Sequence, residues 1–558
     1  MGAIISVVLD HARSLFAAIA LLQDQVKDFQ AAIARASLSP GLPVPNPSTP
    51  YWTQDPPYPE LVKHQSAELP SRADVAIIGS GISGAAVAHS LLALGAKNKN
   101  NKSAGNNSFD NIVVLEARDI CSGATARNGG HIKATAYDVY PRFAKTMPPD
   151  RAAALTRFQL KHLDALVDLC KARGIDAAET RQVETVDLFL DKTSFEKAVR
   201  NAEETKANLP EDATRLWQRQ EAQEKFGTGE TVAGAVSYKA GAIWAYRFVT
   251  TIWHQLLAEF PDTLSIETHT PAEAILTDDP RAPEGYTYAI QTPRGTVFAR
   301  NVVHATNGHA SHLVPGLRRK ITPAQAHMSA QKPGRLFSQG RDHGAHRSWG
   351  VVYENGFDYV TQRQPDDVDA DAGNSARHDG QGNLLLGGGF VRSSKQGIDM
   401  IGRSSDDGTS LDGLTLAHIA GIFPAVFSPN NWGRGAEFKQ AWSGTLGFTG
   451  DLIPLVGKLD KSLTGRTAPA PNVVGSSGPE DEKPSGEWIA AGFSGEGMVW
   501  AWLTGTALGV IMSGREDEDM AAAPGWPAGR LEDWFPREML VSEQRLRSAD
   551  LVNLANQS

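Results

Sequence analysis

Cysteine is scarce in this 558-residue chain, where Cys121 and Cys170 are the only two. That scarcity excludes a disulfide scaffold and a four-cysteine zinc site. It fits a reducing compartment, so a cytoplasmic location is expected. An excess of basic charge is missing as well. Lys and Arg number 54 against 63 Asp and Glu, a formal charge of -9, which argues against nucleic-acid binding and its basic footprint. No long apolar run is present either. Residues 4–22 are mostly apolar, but Asp10, His11 and Arg13 interrupt them, and no stretch reaches the roughly 20 residues that span a bilayer. Met1 to Leu9 contains no Lys or Arg, whereas a signal peptide carries an early positive charge. What remains, 41% hydrophobic and 21% charged, is the composition of a globular protein. The length suits two joined domains with additions.

Apolar residues at Leu15, Ile19, Leu22, Val26, Phe29 and Ile33 step by threes and fours, which predicts an amphipathic N-terminal helix over 1–36 that packs through this seam on the protein body or on a second copy. Met1-Gly2-Ala3-Ile4-Ile5-Ser6 also matches an N-myristoylation pattern, so membrane-surface contact is a second reading. Eight prolines between Ser37 and Leu61 predict an extended linker over 37–70. Polar, aperiodic stretches at Lys97–Asp110, Pro365–Gly380 and Lys461–Gly486 read as surface insertions. Residues 150–225 read as helical. Strands are expected near Gly234–Tyr238, Thr263–Ile275, Tyr286–Thr292 and Val297–Val303, with a second sheet over Gly350–Val360 and Asn383–Phe390. No internal repeat is found, and no metal ligands are assigned.

The sharpest motif is Gly79-Ser80-Gly81-Ile82-Ser83-Gly84, between the apolar strand Asp74–Ile78 and a helical stretch from Ala85 to Leu94. Gly79 permits a tight turn, Gly81 lets backbone approach a pyrophosphate, and Gly84 lets helix and strand pack closely. The helix N-terminus then faces the phosphates. Glu116 ends the next strand, Ile112–Glu116, and is placed to accept hydrogen bonds from ribose hydroxyls. Thirty-two residues separate Gly84 from Glu116, and removing the 14-residue polar loop leaves 18, near the usual spacing of about 20. This motif alone leaves NAD and FAD both open.

A second glycine-rich loop follows: Cys121-Ser122-Gly123-Ala124-Thr125-Ala126-Arg127-Asn128-Gly129-Gly130-His131. Here the chain resembles the FAD-dependent D-amino-acid oxidase family, which includes glycine and sarcosine oxidases. The Ser-Gly-Ala-Thr and Arg-Asn-Gly-Gly pieces look most like the gamma-glutamylputrescine oxidase branch. Further similar segments occur in the family's order: Ala240–Arg247, Thr270–Ile275, Val302–His309, Trp442–Gly444 with Thr449–Asp451, and Gly492–Met498. The likeness covers about Ala73 to Gly514, and the polar insertions and N-terminal extension resemble those of filamentous-fungal members.

The resemblance implies an α/β fold with an α+β substrate part: a Rossmann-like FAD domain over 71–136, 226–330 and 436–515, interleaved with a mixed-sheet substrate domain over 137–225 and 331–435, and a C-terminal tail over 516–558. It implies FAD contacts from Gly79, Gly81, Ile82, Ser83, Gly84, Glu116, Ala117, Arg118, Ser122, Thr125, Arg127, Asn128, Gly129, Gly130, Ala272, Thr306, Gly308, Asp451, Gly495, Glu496, Gly497 and Met498. Register puts Arg127 where some relatives carry a flavin-linking histidine, and no cysteine follows Cys170, so noncovalent FAD is expected. The implied reaction is hydride transfer from the carbon beside an amine nitrogen to flavin N5, with imine hydrolysis and peroxide release on reoxidation. Candidate catalytic residues are His131, Tyr359 and Arg363. The partners implied are an amine or amino acid and oxygen, and the oligomeric state stays open. A flavin dehydrogenase with another acceptor, and a flavoprotein with only a binding role, are the alternatives.

Overall fold

The computed structural model of the chain describes residues 23–99, 109–339, 346–364, 382–466 and 485–557. Most of the three predicted insertions lies outside these residues. The described flanks differ from expectation, because the helix that follows the glycine turn, Ile82–Lys99, runs on to Lys99 and Lys461–Thr464 is a helical turn.

Two sheets organise the molecule. The first has the order Leu455–Lys458, Gly486–Ala491, Gly295–His304, Arg72–Ile78, Ile112–Leu115, Leu264–Glu267. Its last five strands are parallel, and Tyr288–Thr292 and Ala274–Leu276 extend it through antiparallel pairing. Strands covered on both faces read as continuous apolar runs rather than alternating ones. Accordingly, every residue of Ile112–Leu115 is buried, and so is all of Arg72–Ile78 after its first residue. Each Val, Ile and Leu side chain among them contributes roughly 1.5–3 kcal/mol. Helices Ile82–Lys99 and Ala501–Met512 pack closely because their contact is built of small residues. A Cβ on Gly505 would stand 2.7 Å from that of Ala86.

The second sheet has the order Glu437–Phe448, Thr322–Lys332, Leu384–Gly388, Gly356–Gln362, Arg347–Tyr353, Arg181–Phe189, Gly234–Ala242, His131–Ile132, with Arg215–Gln218 also pairing to Gly234–Ala242. Only Arg347–Tyr353 and Arg181–Phe189 run parallel. Side chains alternate between the two faces. Val186, Leu188, Trp349, Val351 and Val360 join Phe337, Phe423 and Phe427 in an aromatic core. Asp187, Gly350, Val352, Phe357 and Tyr359 face the other way, toward a cavity.

Several expectations need correction. Residues 150–225 contain the strands Arg181–Phe189 and Arg215–Gln218 between their helices. The helix-forming composition there is overridden by cross-strand pairing, since β preference depends on tertiary context. The strands Gly234–Ala242, Thr322–Lys332, Glu437–Phe448 and His131–Ile132 belong to the second sheet, so the segments 71–136, 226–330 and 436–515 expected to form the FAD domain contribute strands to both sheets. The 516–558 tail is integral, with Trp534, Phe535, Met539, Arg545 and Leu551 buried. The proline-rich segment is no free linker either, since Ser48, Tyr51, Trp52 and Leu61 are buried.

Residues 23–36 are helical, but the helix docks through a face next to the predicted seam. Asp28 pairs with Lys395, Arg35 donates to the carbonyls of Ile398 (2.8 Å) and Ile401 (2.9 Å), and Ala32 and Ala36 are buried. Of the seam, Val26 is 55% and Phe29 44% exposed, while Leu15, Ile19 and Leu22 lie outside the described residues. Among those residues no helix is long and apolar enough to cross a membrane.

Candidate active site

The carboxyl ends of the parallel strands, where ligands of such sheets bind, open into a cavity of about 1220 Å³. Gly79 turns at φ +108°, and a Cβ there would stand 2.8 Å from the Ala305 carbonyl oxygen. A Cβ on Gly84 would overlap the Gly79 carbonyl, so only glycine lets the helix start so close to the strand. Ser80 ties the glycine turn to the ribose strand. Its backbone N–H and hydroxyl donate to Glu116 Oε2 (3.1 and 2.7 Å), while its hydroxyl accepts from the Cys121 N–H at 2.7 Å. Thr125 Oγ1 accepts the Ile82 N–H at 3.0 Å, which joins the second glycine loop to the helix start. Burial pushes the Cys121 thiol well up, so it stays protonated and unreactive.

Of the predicted cofactor residues, Gly79, Gly81, Ile82, Ser83, Glu116, Ala117, Arg118, Thr125, Arg127, Asn128, Gly129, Ala272, Thr306, Gly495, Glu496, Gly497 and Met498 line this one cavity. Gly84, Ser122, Gly130, Gly308 and Asp451 do not line it. Gly84 and Gly308 are packing positions, and a Cβ on Gly308 would stand 2.5 Å from the Leu446 carbonyl oxygen. Gly130, at φ +65°, backs onto Ile243, whose N–H donates to its carbonyl at 2.8 Å. The Ser122 carbonyl accepts from Arg127 Nε. Asp451 pairs with Arg545 at 2.6 Å, a partner from a segment that was read as tail. Arg127 lines the cavity but spends its donors on Ser48, Ser122 and Ser443, and burial lowers it to about 10. Glu496 is held by Gln159 Nε2 (2.8 Å), Trp500 Nε1 (3.3 Å) and Arg142 (3.5 Å).

The opposite wall comes from the second sheet. Register sets Asp187 beside Gly350, Gly350 beside Tyr359, and Tyr359 beside Gly387. The two glycines make room for their neighbours. A Cβ on Gly350 would overlap Asp187 Oδ1 and one on Gly387 would stand 2.7 Å from the Tyr359 ring, which also lies against Gly129. Asp187 is buried and accepts from Lys133 Nζ (2.5 Å), Tyr137 OH (2.8 Å) and Tyr238 OH (2.7 Å). Burial, and then Asp187, push both tyrosines well up. His131 Nε2 lies 2.8 Å from Ser348 Oγ, and its Nδ1, shielded from solvent, has no protein partner. Burial and then Lys133 hold the imidazole well below its ordinary range, so it is neutral. Tyr359 donates to Met328 Sδ at 3.2 Å, and burial raises its phenol to about 12.

His131 and Tyr359 therefore line the cavity, and Arg363 does not. Arg363 pairs with Glu179 at 2.6 Å and lies over the Trp244 ring at 4.7 Å. It falls at the strand's end, where the chain has left the cavity. The sequence reading missed Lys133, Tyr137, Asp187 and Asn307. Lys133 stands two positions after His131, and that period-two spacing was its signal. Asn307 Oδ1 accepts from the N–H groups of Gly492 (3.0 Å) and Phe493 (3.3 Å), which fastens the late glycine loop to the strand Gly295–His304.

A family model described as FAD dependent oxidoreductase (DAO) matches residues 74–509. The chain belongs to that family. As an FAD dependent oxidoreductase it has a cavity that fits the cofactor: one continuous space passes Glu116, the N-terminus of the first helix and the two later glycine loops, and its volume exceeds the usual 300–1,000 Å³ of small-molecule sites. Solved structures of similar fold include glycine oxidase from Geobacillus kaustophilus (17% identity, TM-score 0.54, covering 82% of this chain and 98% of that one). L-proline dehydrogenase from P. horikoshii is similar too (18%, 0.54, 84% and 97%), as is L-amino acid deaminase from Proteus myxofaciens (14%, 0.53, 82% and 93%). At these identities the likeness shows the fold. No curated protein sequence matches the chain. Among the described residues no cluster of three or more His, Cys, Asp or Glu is placed to hold a metal ion.

Proposed function

We propose that this flavoenzyme oxidises the C–N bond of an amine or amino acid to an imine, with molecular oxygen taking the two electrons and two protons as hydrogen peroxide, and with FAD held noncovalently. One observation carries the reading: the polar wall of His131, Lys133, Asp187 and Tyr359 opens on the same cavity as the dinucleotide turn. Bound FAD supplies the two-electron acceptor for the C–H bond beside nitrogen. The protein positions the substrate. Neutral His131, with Nε2 held by Ser348, contributes its ring to the cavity wall. Lys133, paired with Asp187 at 2.5 Å, offers N–H donors to an electron-rich substrate group. Tyr359 keeps its proton throughout the physiological range and shields the cavity with its ring. The neighbours that act on glycine and L-amino acids support an amine substrate at the level of the fold.

The test is an anaerobic absorbance titration of the purified protein with a panel of amines and amino acids. Bleaching of the flavin band by one of them, and recovery with peroxide in air, is the expected result. Bleaching without recovery in air would move the reading to a dehydrogenase. A flavin that no amine bleaches would end the amine-oxidation reading.

A further inference from the structure

Residues 39–53 precede the segment matched by the family model, 74–509, yet they lie across the mouth of the cofactor crevice. Gly41, Leu42 and Pro43 line the cavity together with Glu116 and Arg118. On the side of the parallel sheet, His309 Nδ1 lies 3.1 Å from the Gly41 carbonyl oxygen and Arg118 donates to the Val44 carbonyl at 3.2 Å. These two partners follow the carboxyl ends of the strands Gly295–His304 and Ile112–Leu115, so the segment crosses the ends that a dinucleotide must occupy. Further along, Trp52 Nε1 donates to the Asn128 carbonyl in the second glycine loop.

On the other side the segment is fastened to the second sheet and the loop beside it. The Ser404 hydroxyl donates to the Pro40 carbonyl at 2.6 Å, and the Ser48 N–H and hydroxyl donate to the Asp406 carbonyl (2.7 and 2.8 Å). The Ser48 hydroxyl also accepts from Arg127 (3.1 Å) and from the Ser443 N–H (3.2 Å). At the centre sits a buried cluster in which the Asp406 carboxylate bridges Arg118 at 2.9 Å and Arg127 at 3.1 Å. Each arginine also holds a carbonyl of the segment, Val44 for Arg118 and Ser48 for Arg127. Prolines 40, 43, 45, 47 and 50 fix the extended backbone in advance and reduce the entropy lost on docking.

We infer that residues 39–53 are a retaining strap of the FAD site, clasped by the Arg118–Asp406–Arg127 cluster, and that FAD leaves only after the strap lifts. The inference rests on FAD binding and not on the identity of the substrate. Two measurements test it. The full-length holoprotein and the same protein stripped of FAD are digested under limiting protease. New cleavage within 39–53 on FAD removal, with the rest of the chain resistant, is expected. Equal cleavage there with and without FAD, or cleavage spread over the whole apoprotein, overturns the strap. The second measurement is FAD release on dilution, followed by the rise in flavin fluorescence, for Ser48→Ala. At least tenfold faster release with an unchanged circular dichroism spectrum is expected, and a rate within twofold of the parent overturns the strap. If the variant does not fold, the digestion of the unaltered chain decides alone.

Discussion

The two walls of the cavity are built from different materials. The dinucleotide wall is largely backbone: a turn at φ +108°, helix starts, and one carboxylate, Glu116. Gly79 and Gly84 stand where a Cβ would strike a neighbouring carbonyl. The opposite wall is made of side chains from the second sheet, brought abreast by strand register, and its glycines at 350 and 387 serve to house Asp187 and Tyr359. Backbone sites depend on local sequence, so they survive as readable motifs. Side-chain sites depend on which strands become neighbours, and nothing in a local window records that.

The largest expected effect tests the backbone wall. Gly84→Val puts side-chain atoms on the Gly79 carbonyl, and the purified protein should carry no flavin, read as the loss of absorbance near the flavin band. Full flavin content would show that the wall tolerates side chains there. Asp187→Asn tests the other wall, leaving the Lys133 ammonium beside two tyrosines without a counter-charge. We expect a loss on the order of 3 kcal/mol in urea unfolding, with flavin content unchanged. If this variant also loses flavin, the two walls are not separable.

A third test concerns the cores behind the walls. Burial lowers His89 and His162 to about 4 from an ordinary 6.5. The folded state thus refuses protons that the unfolded chain accepts. The stability they contribute is present above pH 6.5 and is lost as the pH falls from 6.5 toward 4. At pH 5 the loss should be on the order of 2 kcal/mol for each histidine, read as a lower urea midpoint than at pH 7. An unchanged midpoint would mean that water reaches these rings. The smallest effect belongs to Arg363→Met, which should cost about 1 kcal/mol and leave kcat/KM within twofold, because the Glu179 pair faces away from the cavity. A large loss of kcat/KM would return Arg363 to the opposite wall.

Legibility in the sequence followed this division. The glycine turn and Glu116 were legible from context and spacing, and the second and late glycine loops from the family resemblance, since each is a run of only a few residues. The strand Arg181–Phe189 was hidden inside a region of helix-forming composition, and with it Asp187. Arg363 and Tyr359 are four positions apart, and alternation puts them on one face of an ideal strand. The strand ends at Gln362, and Arg363 then turns toward Glu179. The proline-rich segment was readable as extended, and its destination was not.

By itself, the sequence determined that this chain binds a dinucleotide between strand, glycine turn and helix, because those constraints act between residues near each other along the chain. The tertiary structure alone decided which polar side chains line the cavity and which distant segments close around it. Asp187, Lys133, Tyr359 and Asp406 come from distant stretches of chain, and only the pairing of strands and the packing of the two sheets bring them to one cavity.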